Sequence, residues 1–145
     1  SDAELQVVRK FIRNGGRVML LCPAWVSVSY EKNGLEKLSF GRIASEFGLL
    51  LSANYAISPL RLSRPIFASE AYTNGNNAVF SLIFYSNGWP ILVDKNNKAA
   101  AVAAKKASAR IVVWSQINLL SNKLKDHQQN DRLIRNIFHW LRSKS

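Results

Sequence analysis

The chain has 145 residues and a hydrophobic fraction of 48%, which is enough for one globular domain with its own core. No apolar run approaches the roughly 18 residues of a membrane helix, and no signal peptide is visible. The single cysteine excludes an internal disulfide and a cysteine-based zinc cluster. These features are compatible with a reducing, cytoplasmic compartment. Because the chain begins without methionine, we expect residues 1–145 to be a single domain from a longer protein.

The net charge of +11 is the strongest compositional signal, and it is unevenly distributed. Residues 95–145 carry eleven Lys and Arg against two acids, a net +9, whereas residues 1–94 carry a net +2. A basic surface favours nucleic acid, an anionic membrane or an acidic partner. No run of five basic residues and no nucleic-acid-binding motif is present. A solvated basic face is therefore the simpler interpretation.

The first elements are a helix, a glycine turn and a strand. Apolar residues at helical spacing predict a helix over residues 3–14. Asn14-Gly15-Gly16 ends it, because glycine adopts the left-handed backbone common at a helix C-terminus. Residues 18–21 are continuously apolar, which predicts a strand covered on both faces. Cys22 stands at the tip of that strand.

A second helix and strand follow. Ser39 is predicted to cap a helix over residues 40–47. Residues 49–51 are predicted to begin a second buried strand that continues towards Ile57. Residues 25–30 are either a short strand or an irregular loop, and most of residues 58–78 is predicted to be a loop with a short strand at 65–68.

Strands dominate the remainder until the last helix. Aromatic and β-branched residues favour a strand over helix for residues 78–85, and residues 89–94 form the next strand. Residues 99–108 are ambiguous, because their alanines and lysines favour a helix. Their place between a turn and the strand 110–114 makes a three-stranded antiparallel run over residues 89–94, 99–105 and 110–114 the competing interpretation. Apolar spacing predicts a closing helix over residues 130–142.

Two segments together resemble a known family. Residues 11–21 consist of the end of a helix, Gly15-Gly16 and a hydrophobic strand. This succession is similar to a helix–Gly-Gly–strand segment of class I glutamine-amidotransferase-like domains. Residues 109–115 and the last helix are similar to the closing strand and helix of that family. The matching helix residues are Asn130, Asn136, Trp140 and Leu141, while Gln129 stands where Asp is usual and Trp114-Ser115 where Gly-Asp is usual.

Trp25 and the helix ending in Phe47-Gly48 resemble one branch of the family in particular. That branch precedes enhancin-like metallopeptidases and occurs in channel-associated factors. Related non-enzymatic copies occur in intraflagellar-transport proteins and in gliding- or transporter-associated proteins. The resemblance also implies an antiparallel strand for residues 99–105, which decides the ambiguity there in favour of strand.

The fold implied by the resemblance is α/β. It is a flavodoxin-like three-layer sandwich with a mostly parallel sheet and an antiparallel extension. The family normally has a β-α-β unit ahead of the first helix found in this chain. We expect either that the domain is reduced or that upstream residues have been removed.

Cys22 is the candidate nucleophile. In the enzymes of this superfamily a cysteine on a tight strand-to-helix turn attacks a carbonyl carbon while a histidine takes up the proton. His127 is the candidate base. Pro23 lacks the amide N–H that would form half of an oxyanion hole, and neither His127 nor His139 has an acid within three residues downstream. A buried structural thiol is therefore the simpler expectation.

Other candidate ligand-binding residues are aromatic or basic. They are Trp25, Arg61, Arg64, Lys105 and Lys106. Aromatic residues in loops can stack on sugars or bases, although core packing explains them equally well. No metal-ligand spacing is present, and Gly15-Gly16 follows a helix instead of opening one, so neither a metal nor a cofactor is predicted.

We therefore predict a non-catalytic binding or scaffolding module of amidotransferase-like fold within a larger protein or assembly. Its partner would be a protein or an acidic ligand. One alternative is a Cys-dependent amide hydrolase that uses Cys22 with His127. A second alternative is a basic domain that binds nucleic acid through residues 95–145.

Overall fold

The computed structural model describes residues 1–22, 38–57, 59–63, 80–116 and 128–144. These residues form three helices and two β-sheets. The helices are α1 (Asp2–Arg13), α2 (Ser39–Ser45) and α3 (Gln128–Arg142), and the strands are β1 (Arg17–Leu21), β2 (Leu49–Tyr55), β3 (Arg61–Leu62), β4 (Ser81–Tyr85), β5 (Trp89–Val93), β6 (Ala99–Lys106) and β7 (Ala109–Trp114). The strand predictions for residues 25–30 and 65–68 lie outside the described residues.

The main sheet is mixed and mostly antiparallel. Its strand order is β1-β7-β6-β5-β3, and only the β1–β7 pair is parallel. Strands β2 and β4 form a separate antiparallel sheet. The prediction of a flavodoxin-like sandwich with a mostly parallel sheet is therefore wrong.

Connection length explains this correction. Only residues 86–88, 94–98 and 107–108 separate β4 from β5, β5 from β6 and β6 from β7. A parallel neighbour requires a crossover of about a dozen or more residues, whereas a short turn joins antiparallel strands. The turns at residues 94–98 and 107–108 therefore impose antiparallel order on β5, β6 and β7, while residues 86–88 lead from the smaller sheet into the main one.

The turn after α1 confirms the predicted role of its glycines. Gly15 has a φ of +81°. Its N–H donates to the carbonyl of Ile12, and the N–H of Gly16 donates to the carbonyl of Phe11. This pair of bonds is the Schellman arrangement that closes a helix C-terminus. It turns the chain directly into β1.

Strand β6 confirms the choice of strand over helix in the ambiguous segment. It pairs antiparallel with β5 on one side and with β7 on the other. Ala99 to Ala104 are all buried. The Cα atoms of β4 come within 8 Å of β6, which is closer than the roughly 10 Å spacing of ordinary packed sheets. The small alanine side chains permit this approach.

The core lies on both faces of the main sheet, as residue alternation along β1 shows. Val18 and Leu20 pack with α1, α2 and the β2–β4 sheet, whereas Met19 and Leu21 pack with α3. Every residue of β1 is only half-buried, because β1 is the edge strand of the described sheet. The predicted strand is thus confirmed, although its complete coverage is not observed.

The start of α2 differs from its prediction. Leu38 occupies the N-cap position and no side chain caps the helix, while Ser39 is its first residue. The predicted closing helix is confirmed as α3.

Arg110 fixes the C-terminal end of α3 to the sheet. Its guanidinium donates to the Trp140 carbonyl oxygen at 2.6 Å and to Ser143 Oγ at 2.5 Å. It also lies 5.0 Å from the centroid of the Trp140 ring. Burial, with a smaller contribution from the positive charge of Arg17, lowers the pKa of Arg110. The buried guanidinium thus satisfies a terminal helix carbonyl and anchors the helix.

Candidate protein-binding surface

Cys22 follows β1 at the carboxyl end of the parallel β1–β7 pair, where the sequence placed it. Its backbone N–H donates to the Trp114 carbonyl oxygen at 3.0 Å, and its Sγ lies 3.9 Å from the same oxygen. The residue is only 1% exposed. Burial raises the pKa of the Cys22 thiol to about 12. At neutral pH the thiol is therefore protonated, and a thiol is a poor nucleophile compared with its thiolate.

No histidine or carboxylate among the described residues contacts the Cys22 thiol. His127, the candidate base, lies outside the described residues, as do Trp25 and Arg64. The described part of the chain thus contains no proton acceptor that would activate Cys22.

The other predicted ligand-binding residues lie far apart. Arg61 is on β3, where its guanidinium donates to Asn97 Oδ1. Arg61 lies near the start of β6, because it pairs with Val93, which in turn pairs with Ala99. Lys105 and Lys106 lie at the other end of β6, where Lys106 Nζ is 3.7 Å from Glu46 Oε2. The structure therefore does not bring Arg61 together with the two lysines in one site.

The β2–β4 sheet presents an apolar patch that the sequence analysis did not identify. Leu50 pairs with Phe84 across the two strands, and the side chains are 52% and 47% exposed. Their neighbours Leu49 and Leu51 are buried in the core. Tyr85 pairs with Leu49 at the end of β4, so it lies on the other side of the strand from Phe84, and it is 42% exposed. We call Leu50 and Phe84 the β2–β4 patch.

Two shallow depressions flank β4, and both are lined by Phe84 and Tyr85. One has a volume of about 460 Å³ and is also lined by Leu50 and Ser86. The other has a volume of about 230 Å³ and is also lined by Asn97 and Lys98. Both depressions are thus bordered by the same two aromatic residues.

Gly48 fixes one edge of the β2–β4 patch. Its φ is +76°, and a Cβ at this position would lie 2.7 Å from Ser86 Oγ. The Gly48 carbonyl accepts hydrogen bonds from the N–H of Ser86 at 3.1 Å and from its hydroxyl at 3.2 Å. A glycine is needed here because it combines a left-handed backbone with close approach to β4.

Asp94 fixes the turn at the second depression. Its carboxylate accepts hydrogen bonds from the backbone N–H groups of Ile57 at 3.1 Å, Asn96 at 2.8 Å and Lys98 at 2.9 Å. Burial of Asp94 raises the pKa, but these three donors outweigh it and lower the pKa below its ordinary value of 3.8. The ionised carboxylate therefore holds residues 94–98 against the end of β2.

The described residues contain no cluster of three or more His, Cys, Asp or Glu that could hold a metal ion. Within the same residues, none of the helices has both the length and the apolar character required to cross a membrane.

Comparisons with known proteins yield a likeness of fold. No family model matches the chain. No curated protein matches it either. Among solved structures, the chain is similar to the mmIFT52 N-terminal domain with a TM-score of 0.71 and 13% sequence identity, over 99% of this chain and 72% of that chain.

At this identity the likeness establishes a shared fold alone. It agrees with the intraflagellar-transport type of domain named in the resemblance. The class I glutamine-amidotransferase-like assignment is not confirmed by these comparisons. The chain therefore has the fold of the mmIFT52 N-terminal domain, with an exposed apolar patch on its smaller sheet.

Proposed function

We propose that this chain is a non-catalytic protein-binding module within a larger assembly and that the β2–β4 patch contacts the partner. The observation that carries the proposal is the outward-facing Leu50–Phe84 pair beside Tyr85. Large side chains of this kind, and aromatic ones above all, contribute much of the binding energy in protein interfaces. The likeness in fold to an intraflagellar-transport type of domain supports a scaffolding role.

The shape of the surface also supports a protein partner. The two depressions bordered by Phe84 and Tyr85 offer shape complementarity to apolar side chains of another protein. Lys98 lies on the border of one hollow, where a polar rim is expected. The amidotransferase-like assignment remains part of this proposal, without amidotransferase activity.

The environment of Cys22 weighs against the hydrolase alternative. A buried thiol with a pKa of about 12 lacks the thiolate character of a catalytic cysteine. The nucleic-acid alternative has no support from the comparisons.

Site-specific photo-crosslinking tests the proposal in the source cells. A photoreactive amino acid is placed at Leu50 and, as a control, at the exposed Val7 of α1. We expect the Leu50 position to form a discrete crosslink to one protein, identified by mass spectrometry, that the Val7 position does not form. Phe84→Ser should reduce that crosslink about 30-fold, since truncating an interface hot spot costs about 2 kcal/mol or more.

Two results would contradict the proposal. One is crosslinking at Leu50 that is no stronger than at Val7 or that is unchanged by Phe84→Ser. The other is ammonia release from glutamine by the purified protein that is lost in Cys22→Ala, which would favour the hydrolase.

A further inference from the structure

Helix α3 carries a second exposed surface, on the other face of the main sheet from the β2–β4 patch. Arg135, Phe138, His139 and Arg142 are spaced at i, i+3, i+4 and i+7, which places them on one helical face. All four are exposed, and Phe138 is 43% exposed although its apolar character suggested the core. We call these four residues the α3 ridge. The opposite face of α3 packs on the sheet.

The ridge carries two arginines, of which one is ion-paired within α3. Arg135 Nε lies 3.0 Å from Asp131 Oδ2. Neither Arg142 nor His139 has a carboxylate partner among the residues that the structure describes. The ridge borders an open depression of about 700 Å³, which Asn136 and Ser143 also line. An anionic group could enter this depression without displacing an existing partner of Arg142.

Arg110 reduces the electrostatic repulsion that the C-terminal end of α3 would exert on an anion. Helix C-terminal carbonyls carry partial negative charge and repel anions. Here the Trp140 carbonyl oxygen accepts a hydrogen bond from the buried Arg110 guanidinium, which also donates to Ser143 Oγ at the edge of the depression. The positive charge of Arg110 therefore offsets the partial negative charge of the carbonyl at the C-terminal end of α3.

We propose that the α3 ridge binds an acidic amphipathic segment of a protein partner. Its carboxylates would pair with Arg135 and Arg142, and an apolar side chain would pack on Phe138. The exposed phenylalanine at the centre of the ridge offers an apolar contact to a side chain of a protein partner. Duplex DNA presents no matching surface, because its base faces are stacked inside the double helix. The ridge spans about 10 Å along the helix, which matches two turns of a partner helix.

Fluorescence anisotropy with a defined probe tests this proposal on the 145-residue chain. The probe is a fluorescein-labelled helical peptide with glutamates at i, i+4 and i+7 and a leucine at i+3. We expect saturable binding at about 150 mM salt, where the Debye length is about 8 Å and distant charges are screened. Arg135→Glu combined with Arg142→Glu should weaken binding at least about 30-fold, because both carboxylate partners would then be repelled.

The matched control reverses two charges elsewhere. Lys10→Glu combined with Arg13→Glu changes the net charge equally on α1, on the opposite face of the sheet, and should weaken binding by less than about 3-fold. Phe138→Ser should weaken binding about 5-fold at unchanged charge. Circular dichroism of each variant verifies that it is folded.

Three outcomes would overturn the proposal. The first is equal weakening by the two charge-reversed variants, which would indicate attraction by net charge alone. The second is the absence of saturable binding to the folded chain. The third is displacement of the peptide by an equal concentration of a DNA duplex, which would indicate a nucleic-acid surface.

Discussion

Cys22 lies within hydrogen-bonding range of one carbonyl oxygen, that of Trp114, and is almost completely buried. Its position at the end of β1 was predictable from the apolar run and the following proline. The pKa of its thiol was not, because that value depends on the side chains which cover the strand end. Location suggested a nucleophile, whereas the observed environment is that of a structural thiol.

We predict that iodoacetamide does not alkylate Cys22 in the native protein at pH 8. The buried thiol remains protonated far above that pH, and the reagent has little access to it. Mass spectrometry should detect alkylation only after denaturant is added. Rapid labelling of the folded protein at this pH would refute the assignment of a structural thiol and revive the hydrolase alternative.

Asp94 leads to a prediction about acid stability. The pKa of its carboxyl is lower in the folded chain than its ordinary value of 3.8. Asp94 therefore contributes stability that is fully present above that value and is lost as pH falls through the folded-state pKa. We expect Asp94→Asn to lower the free energy of unfolding by about 2 kcal/mol at pH 7, because charge-assisted hydrogen bonds are weakened.

Urea denaturation of both proteins across pH 2 to 7 measures this effect. The difference between wild type and Asp94→Asn should shrink as the pH falls below about 4, because the carboxyl of the unfolded wild-type chain is protonated first. It should level off once the pH has fallen through the lower pKa of the folded chain. If the difference in free energy of unfolding stays constant over the whole pH range, the shape of the Asp94 side chain, and not its charge, stabilises the fold.

The α1–β1 connection is the element whose sequence signal was clearest. Gly15 was predicted to end the helix, and it does so with a left-handed backbone. We expect Gly15→Ala to lower the free energy of unfolding by about 1–2 kcal/mol, the cost of a Cβ in this conformation. The new Cβ would also lie 2.6 Å from Ser108 Oγ.

Gly15→Asn is the matched control, since it creates the same contact with Ser108 but tolerates a positive φ better than alanine. In urea denaturation it should lose clearly less stability than the alanine variant. Equal losses would assign the effect to crowding at Ser108 instead of the backbone.

The bounds of the strands were easier to predict than which of their side chains are buried. The predicted strands at 89–94 and 110–114 correspond closely to β5 and β7. However, the apolar run in β1 suggested full coverage, and the runs containing Leu50 and Phe84 gave no indication of an exposed side. Which side chain of an apolar strand faces outward depends on the layer packed against it, and sequence periodicity carries little of that information.

At the scale of the molecule, the order of helices and strands along the chain was predicted well. The relative direction of neighbouring strands in the main sheet was not. The resemblance to amidotransferase-like domains implied a mostly parallel sheet. The short turns at residues 94–98 and 107–108 produce antiparallel neighbours instead. The β2–β4 patch and the α3 ridge were missed for a related reason. Each depends on residues that are exposed only because of how the sheets and α3 pack together.

The parallel pairing of β1 with β7 also has a kinetic consequence. In β1 and β7, Arg17 pairs with Arg110 and Leu21 with Trp114, so the partners are about ninety residues apart in the chain. Closing so long a loop is slow, because its entropy must be lost before the pairing contributes. During synthesis, β1 therefore leaves the ribosome long before its partner exists. Its apolar side chains remain unpaired until β7 has been synthesised.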